Sequence, residues 1–188
     1  RQMAGDPQTA FVHEMNQLAK ALGMRRTRFT TPHGLMVSRK KPYSTASDMA
    51  RMCVHAMRDT GFVFYVKQIT RTVTVVGSDA TKRSFKVSNT NPLIGQMGVN
   101  GIKTGLTAAA GQCIAVNSHR SPVVKQIDDS RSQIRNRDLV VVILGSDDRI
   151  ERAKQLISQA WPLYDQWAAE GYPVSSKAQE LIVVPNLR

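Results

Sequence analysis

Cysteine is scarce: two residues in 188, Cys53 and Cys113, are too few for a disulfide framework or a cysteine-rich metal site. They leave the redox compartment open. Aromatic residues make up only 6% of the chain and do not interleave with its basic stretches, so there is no stacking platform for single-stranded nucleic acid. No apolar run approaches the ~18 residues that span a bilayer. The longest, Leu139-Val140-Val141-Val142-Ile143-Leu144, predicts a buried strand. Acidic residues are also few, 14 against 26 Lys and Arg, for a net charge of +12. Six cations and no acid lie between Arg25 and Lys41, and five cations face Asp128 and Asp129 between Arg120 and Arg137. Charge of one sign speaks to non-specific attraction to polyanions, not to fold. Without a zinc-finger spacing or an aromatic RNA-recognition motif, specific nucleic-acid binding is not expected.

What is present is an ordinary apolar content of 41%, enough for a core in a chain of this length. Phe11, Met15, Leu18, Ala19 and Leu22 recur at helical spacing before Gly23, predicting a helix over 6–22. A second helix opens after Ser44-Thr45-Ala46-Ser47-Asp48, with Ser44 or Ser47 as its cap, Asp48 near the positive end of its dipole, and Met49, Met52, Cys53, Ala56 and Met57 on its apolar face. β-branched residues over 69–76, a Gly77-Ser78-Asp79 turn and a return over 83–87 predict a hairpin. Strands follow over 99–104, 112–117 and 139–144, and a last helix over 147–167 that Pro162 should kink or end. Beyond Gly171 the chain reads as a linker with a short apolar strand, 181–184. Short connections between successive strands favour an antiparallel sheet in a mixed α/β (α+β) domain.

Lys103-Thr104-Gly105 is the motif that suggests chemistry. On an exposed strand, an ammonium and a hydroxyl alternate with a glycine whose bare backbone admits another chain, a suitable edge for an extended ligand ending in a carboxylate. The four histidines, His13, His33, His55 and His119, lack metal-ligand spacing, and neither a metal nor a cofactor is expected. His33, in a Pro-His-Gly turn, is expected to make local hydrogen bonds, and both cysteines to be small core residues.

Lys-Thr-Gly is also one of three motifs of the penicillin-interacting serine enzymes, with Ser-x-x-Lys and Ser-x-Asn. The surrounding stretches resemble the D-alanyl-D-alanine carboxypeptidases of the S11 peptidase type, the low-molecular-weight penicillin-binding proteins. They are Phe11-Val12-His13-Glu14-Met15-Asn16, Ala21-Leu22-Gly23-Met24, Thr27-Arg28-Phe29 and Pro32-His33-Gly34-Leu35, then Tyr43 to Ala50, Asn89-Thr90-Asn91-Pro92-Leu93 and Val99 to Gly105. Ala110-Gly111, Val141 to Gly145, Arg149 and Ala153 to Ile157 complete a series in family order across about residues 10–165.

The resemblance implies a serine β-lactamase/D-Ala carboxypeptidase-like fold, an antiparallel sheet packed between helices. It implies a serine-type enzyme that removes the terminal D-alanine of peptidoglycan stem peptides through an acyl-enzyme, is blocked by β-lactams, and works outside the cytoplasmic membrane, associated with it through parts not in this chain. Lys103 is then the strand lysine that supplies positive potential, Thr104 the hydroxyl that meets the substrate carboxylate, and Leu106 the residue whose N–H completes the oxyanion hole. Gly105 lines the substrate's path, and Arg149 matches the arginine that holds the carboxylate of D-alanine.

Both motifs that carry the nucleophile precede the first helix in that family, so the chain reads as an internal piece supplying half of a site, with its own N-terminal fragment as an expected partner. Residues 1–167 form the larger part of the penicillin-binding domain, and 168–188 a linker or the start of a following segment. Ser38-Arg39-Lys40-Lys41 formally reads Ser-x-x-Lys, but it stands in the wrong order, beside Pro42 and without an apolar helix, and is not expected to be catalytic. The segment 121–137 is longer than the family leads one to expect. A non-catalytic homologue that binds wall peptides, and a basic polyanion-binding module, are the competing readings.

Overall fold

The computed structural model describes residues 6–35 and 41–173. The decoy at Ser38 and the strand expected over 181–184 lie outside them. Asp6 caps α1 (Pro7–Ala21), its carboxylate accepting the Thr9 N–H at 3.2 Å, while Pro7 sits in the first turn where its missing N–H costs nothing. Ala19, Leu22 and Met24 form a small core with Leu18, Phe29, Met49 and Met52, which joins α1 to α2 (Ala46–Ala56).

The cap of α2 differs from expectation. Thr45, between the two expected serines, accepts the Asp48 N–H at 3.2 Å, and the Ser44 hydroxyl pairs instead with Thr27 at 2.8 Å. The tertiary neighbour decides which hydroxyl is free to cap. Asp48 does more than face the dipole: buried, it accepts from the Arg26 N–H and the Thr27 hydroxyl and ties the Arg25–Thr27 loop to α2.

A third helix, α3 (Thr60–Val66), is absent from the sequence reading. Its residues, Thr60-Gly61-Phe62-Val63-Phe64-Tyr65-Val66, are poor helix formers. The overlooked signal is Asp59, whose carboxylate accepts the Phe62 N–H at 2.7 Å as an N-cap. The hairpin expected next is β1 (Thr70–Val76) and β2 (Lys82–Ser88), paired antiparallel with Val73 opposite Phe85.

The main sheet is antiparallel, ordered β3 (Val99–Thr107), β4 (Gly111–Asp128), β5 (Arg131–Ser146). Ile114 lies opposite Ile143 and Val116 opposite Val141, so four apolar side chains share one face. Ala153, Ile157 and Trp161 of α4 (Arg149–Ala169) close over them, with Leu93 and Val99 completing the core. Each of the larger ones contributes roughly 1.5–3 kcal/mol by burial. Also packed on the sheet are α2, against β4 and β5, and α3, against β3. The run 139–144 is a strand, but only Val141 and Ile143 are buried and Leu144 is exposed: the sheet buries alternate residues.

Two further expectations are corrected. The strands expected over 112–117 and 139–144 are longer, running on through 121–137 as an exposed hairpin in which Val124 pairs Ile134. Its turn is held by Asp128, which accepts from Arg131 and Ser130; those hydrogen bonds, Arg131 first, lower its carboxyl below the usual range. Pro162 does not end α4, which runs on to Ala169. Pro162 lies on the exposed side, while Trp161, Tyr164, Trp167 and Tyr172 stack edge to face and hold the last turns. Among the described residues, no helix is long and apolar enough to cross a membrane.

Candidate active site

Lys103-Thr104-Gly105 lies in β3, which pairs only with β4 and so is an edge strand among the described residues. Its unpaired side can accept an extended chain. Lys103 is exposed, and its ammonium folds back onto the Thr104 carbonyl. Thr104 is buried, at 8% exposure, with its hydroxyl 2.6 Å from that of Thr90. Leu106 follows with a side chain 67% exposed, so no packing role explains it. A Cβ on Gly105 would meet only the Cβ of Cys113, at 3.7 Å, an ordinary contact. The fold itself therefore does not require glycine there, and the bare surface is left toward solvent.

Arg149 comes from a different element. It occupies the first turn of α4, where the helix dipole disfavours a cation. Two features offset this. Asp148 caps the helix, accepting the N–H groups of Ile150 and Glu151 at 3.1 and 3.0 Å. The guanidinium itself donates to the Gly105 carbonyl at 2.5 Å and more weakly to that of Cys113 at 3.4 Å. Its Nε is buried and finds no hydrogen-bond partner among the described residues. The tertiary fold thus sets a guanidinium against the carbonyl of the motif glycine, 44 residues earlier in the chain. Arg149 is brought to Gly105 and Thr90 to Thr104, while the Lys103 ammonium points to its own strand.

Thr90 is the residue at this site that sequence reasoning passed over, although its stretch, Asn89-Thr90-Asn91, belonged to the resemblance. The loop is anchored on both sides of it. Asn89 donates to the carbonyls of Val66 and Gln68 at the end of α3, and Asn91 donates to that of Gly101 in β3. Gly101 leaves room for α3 to approach, since a Cβ there would meet the Val66 Cγ2 at 3.1 Å. His33 bonds locally, its Nδ1 accepting the Leu35 N–H, and among the described residues no three His, Cys, Asp or Glu side chains form a metal-binding group.

The described geometry is an edge strand of an antiparallel sheet carrying an ammonium, a hydroxyl and a bare glycine, with a guanidinium at its flank. Solved structures with the same architecture exist. A mutant of the Streptomyces K15 DD-transpeptidase superposes on 85% of this chain with a TM-score of 0.70, at 23% identity over 58% of its own length. The fold is that of the penicillin-binding, β-lactamase-like proteins.

The D-alanyl-D-alanine carboxypeptidase family, peptidase S11, matches residues 1–125, and the chain belongs to it. Curated relatives include the D-alanyl-D-alanine carboxypeptidase DacF of Bacillus subtilis, 28% identical over 93% of this chain and 39% of the relative. The D-alanyl-D-alanine endopeptidase of Escherichia coli is 30% identical over 64% of this chain and 38% of the relative. The chain spans about two fifths of the length of these relatives.

Proposed function

We propose that this chain carries the Lys-Thr-Gly side of the cleft of a serine-type D-Ala-D-Ala carboxypeptidase acting on peptidoglycan stem peptides. The observation that carries the reading is the seat of Arg149 against Gly105: a cation and the Thr104 hydroxyl flank the same strand, where a terminal carboxylate would be met from two sides. Family membership supports the reaction class.

In this reading the substrate runs along the open edge of β3, over Gly105. Thr104 and Arg149 take the carboxylate of the terminal D-alanine, and this sets the preceding carbonyl near Leu106. A serine hydroxyl, activated by a lysine of lowered pKa, attacks that carbonyl. In this reading both groups come from the protein's N-terminal fragment. The Leu106 N–H stabilises the oxyanion, and the Lys103 ammonium turns from its own strand to add positive potential. Collapse of the tetrahedral intermediate expels D-alanine and leaves an ester that water hydrolyses. β-Lactams acylate the same serine. The enzyme acts outside the cytoplasmic membrane, where its substrate lies, with its own N-terminal fragment as partner.

Intact mass before and after benzylpenicillin tests this. One penicilloyl adduct on a polypeptide that accompanies this chain, or on an N-terminal segment of the protein containing it, is the expected result. Binding of a D-Ala-D-Ala peptide without adduct or turnover would overturn catalysis in favour of a peptide-binding homologue. An adduct on Ser38 would overturn the assignment of the nucleophile.

A further inference from the structure

We infer that Thr90 is a positioning residue for the carboxylate-binding hydroxyl of Thr104, an inference that rests on the function proposed above. The two hydroxyl oxygens are 2.6 Å apart, one on a loop and one on β3, from residues 14 apart in sequence. Each hydroxyl has one proton and can also accept. When Thr104 spends its proton on Thr90, a carboxylate approaching Thr104 meets only lone pairs. When Thr90 donates, Thr104 is satisfied as an acceptor and its proton is free. An arriving carboxylate selects the second arrangement, a chain in which Thr90 donates to Thr104 and Thr104 to the anion, each bond polarising the next.

The placement of Thr90 is built. Its neighbour Asn89 donates to the Val66 and Gln68 carbonyls at 2.9 and 3.0 Å and accepts the Asn91 N–H at 2.9 Å. Asn91, buried, donates to the Gly101 carbonyl at 3.1 Å and accepts the Leu93 N–H at 3.0 Å. Both flanks of an exposed threonine are thereby tied to α3 and β3. Its β-branched side chain has few rotamers, so a fixed backbone fixes the hydroxyl. Nothing in the core needs this: Thr90 itself is exposed and packs in neither apolar cluster.

The test uses the full-length protein that contains this chain, with Thr90→Val, Thr90→Ser and Thr104→Val, and compares acylation by benzylpenicillin with acylation by its methyl ester, which lacks the carboxylate. Thr90→Val should slow acylation by benzylpenicillin roughly 5- to 20-fold, the size of one hydrogen bond to a charged system, while changing that by the ester less than about twofold. For a D-Ala-D-Ala peptide the loss should fall on KM more than on kcat. Thr90→Ser should restore the preference for the acid, and Thr90→Val should add nothing in a Thr104→Val background. Equal losses with acid and ester, no loss at all, or additive effects of the two valines would overturn the inference. A shifted melting temperature in Thr90→Val with an unchanged acid-to-ester ratio would also overturn it. An unmodified wild-type protein would instead refute the proposed function, and this inference with it.

Discussion

Two glycines of this fold should respond to alanine in opposite ways, and the contrast tests whether Gly105 is kept for a ligand. Gly98 has φ of +74°, and a Cβ there would overlap the His119 carbonyl oxygen, which is backbone and cannot rotate away. The left-handed conformation costs an alanine about 1–2 kcal/mol. Relieving the overlap pulls the Gly98–Val99 corner off β4, where the His119 N–H donates to the Gly98 carbonyl at 2.9 Å, and costs about 1 kcal/mol more. Gly98→Ala should therefore destabilise by about 2–3 kcal/mol. Gly105 carries no such burden. Its φ is not in the left-handed region, and its nearest neighbour, the Cys113 Cβ, is at van der Waals distance. Alanine there narrows the unfolded ensemble and suits a strand better, so stability should stay within about 1 kcal/mol of the wild type or rise slightly. Urea titration monitored by circular dichroism gives both numbers, and acylation of the full-length protein by benzylpenicillin gives the functional one. Gly105→Ala should fold as well as the wild type and acylate at least about tenfold more slowly. A Gly105→Ala protein as unstable as Gly98→Ala would refute the packing argument. One that acylates at the wild-type rate would show that nothing passes close over Gly105.

Trp161 is 3% exposed and donates from Nε1 to the buried Ser118 hydroxyl at 3.0 Å, so Trp161→Ala should cost about 3–5 kcal/mol, and Trp161→Phe about 1–2, in denaturant unfolding. Pro162→Ala should raise stability by up to about 3 kcal/mol, because the helix already runs through this position and alanine restores an intrahelical hydrogen bond; a lower midpoint would show that the proline shapes the turn above it. Burial pushes the Cys53 thiol up to about 11, against 9.0 for a free thiol. Between these values the unfolded chain releases a proton that the folded chain keeps, so the contribution is complete below pH 9 and should fall by about 2–3 kcal/mol as pH rises to 11. Cys53→Ala should flatten that part of the stability profile, and equal slopes in both proteins would refute the assignment.

Local signals sufficed where a segment's own pattern set its structure. The Phe11 to Leu22 spacing with Asp6 and Pro7 ahead of it, the β-branched run before Gly77, and the apolar run at 139–144 each appear as the element their residue pattern implies, β1 although all of its residues are exposed. Lys103-Thr104-Gly105 could be located on a strand for the same reason. Tertiary contact settled the rest. Ser44, Thr45 and Ser47 are equivalent caps until Thr27 claims the Ser44 hydroxyl. Residues 60–66 carry poor helix formers, and their helix depends on the Asp59 cap and on packing against β3. Pro162 forbids a helix by its own chemistry, yet the burial of Trp161 and the aromatic stack beyond it outweigh one lost hydrogen bond. At the site, the residue types were legible along the chain but their meeting was not. Arg149 reaching Gly105, and Thr90 reaching Thr104, are pairings across 44 and 14 residues, and sequence spacing carries no trace of them. They exist because α4 closes the core over β4 and β5, and because Asn89 and Asn91 anchor their loop to α3 and β3: the free energy that places these side chains comes from burial and hydrogen bonding elsewhere in the fold.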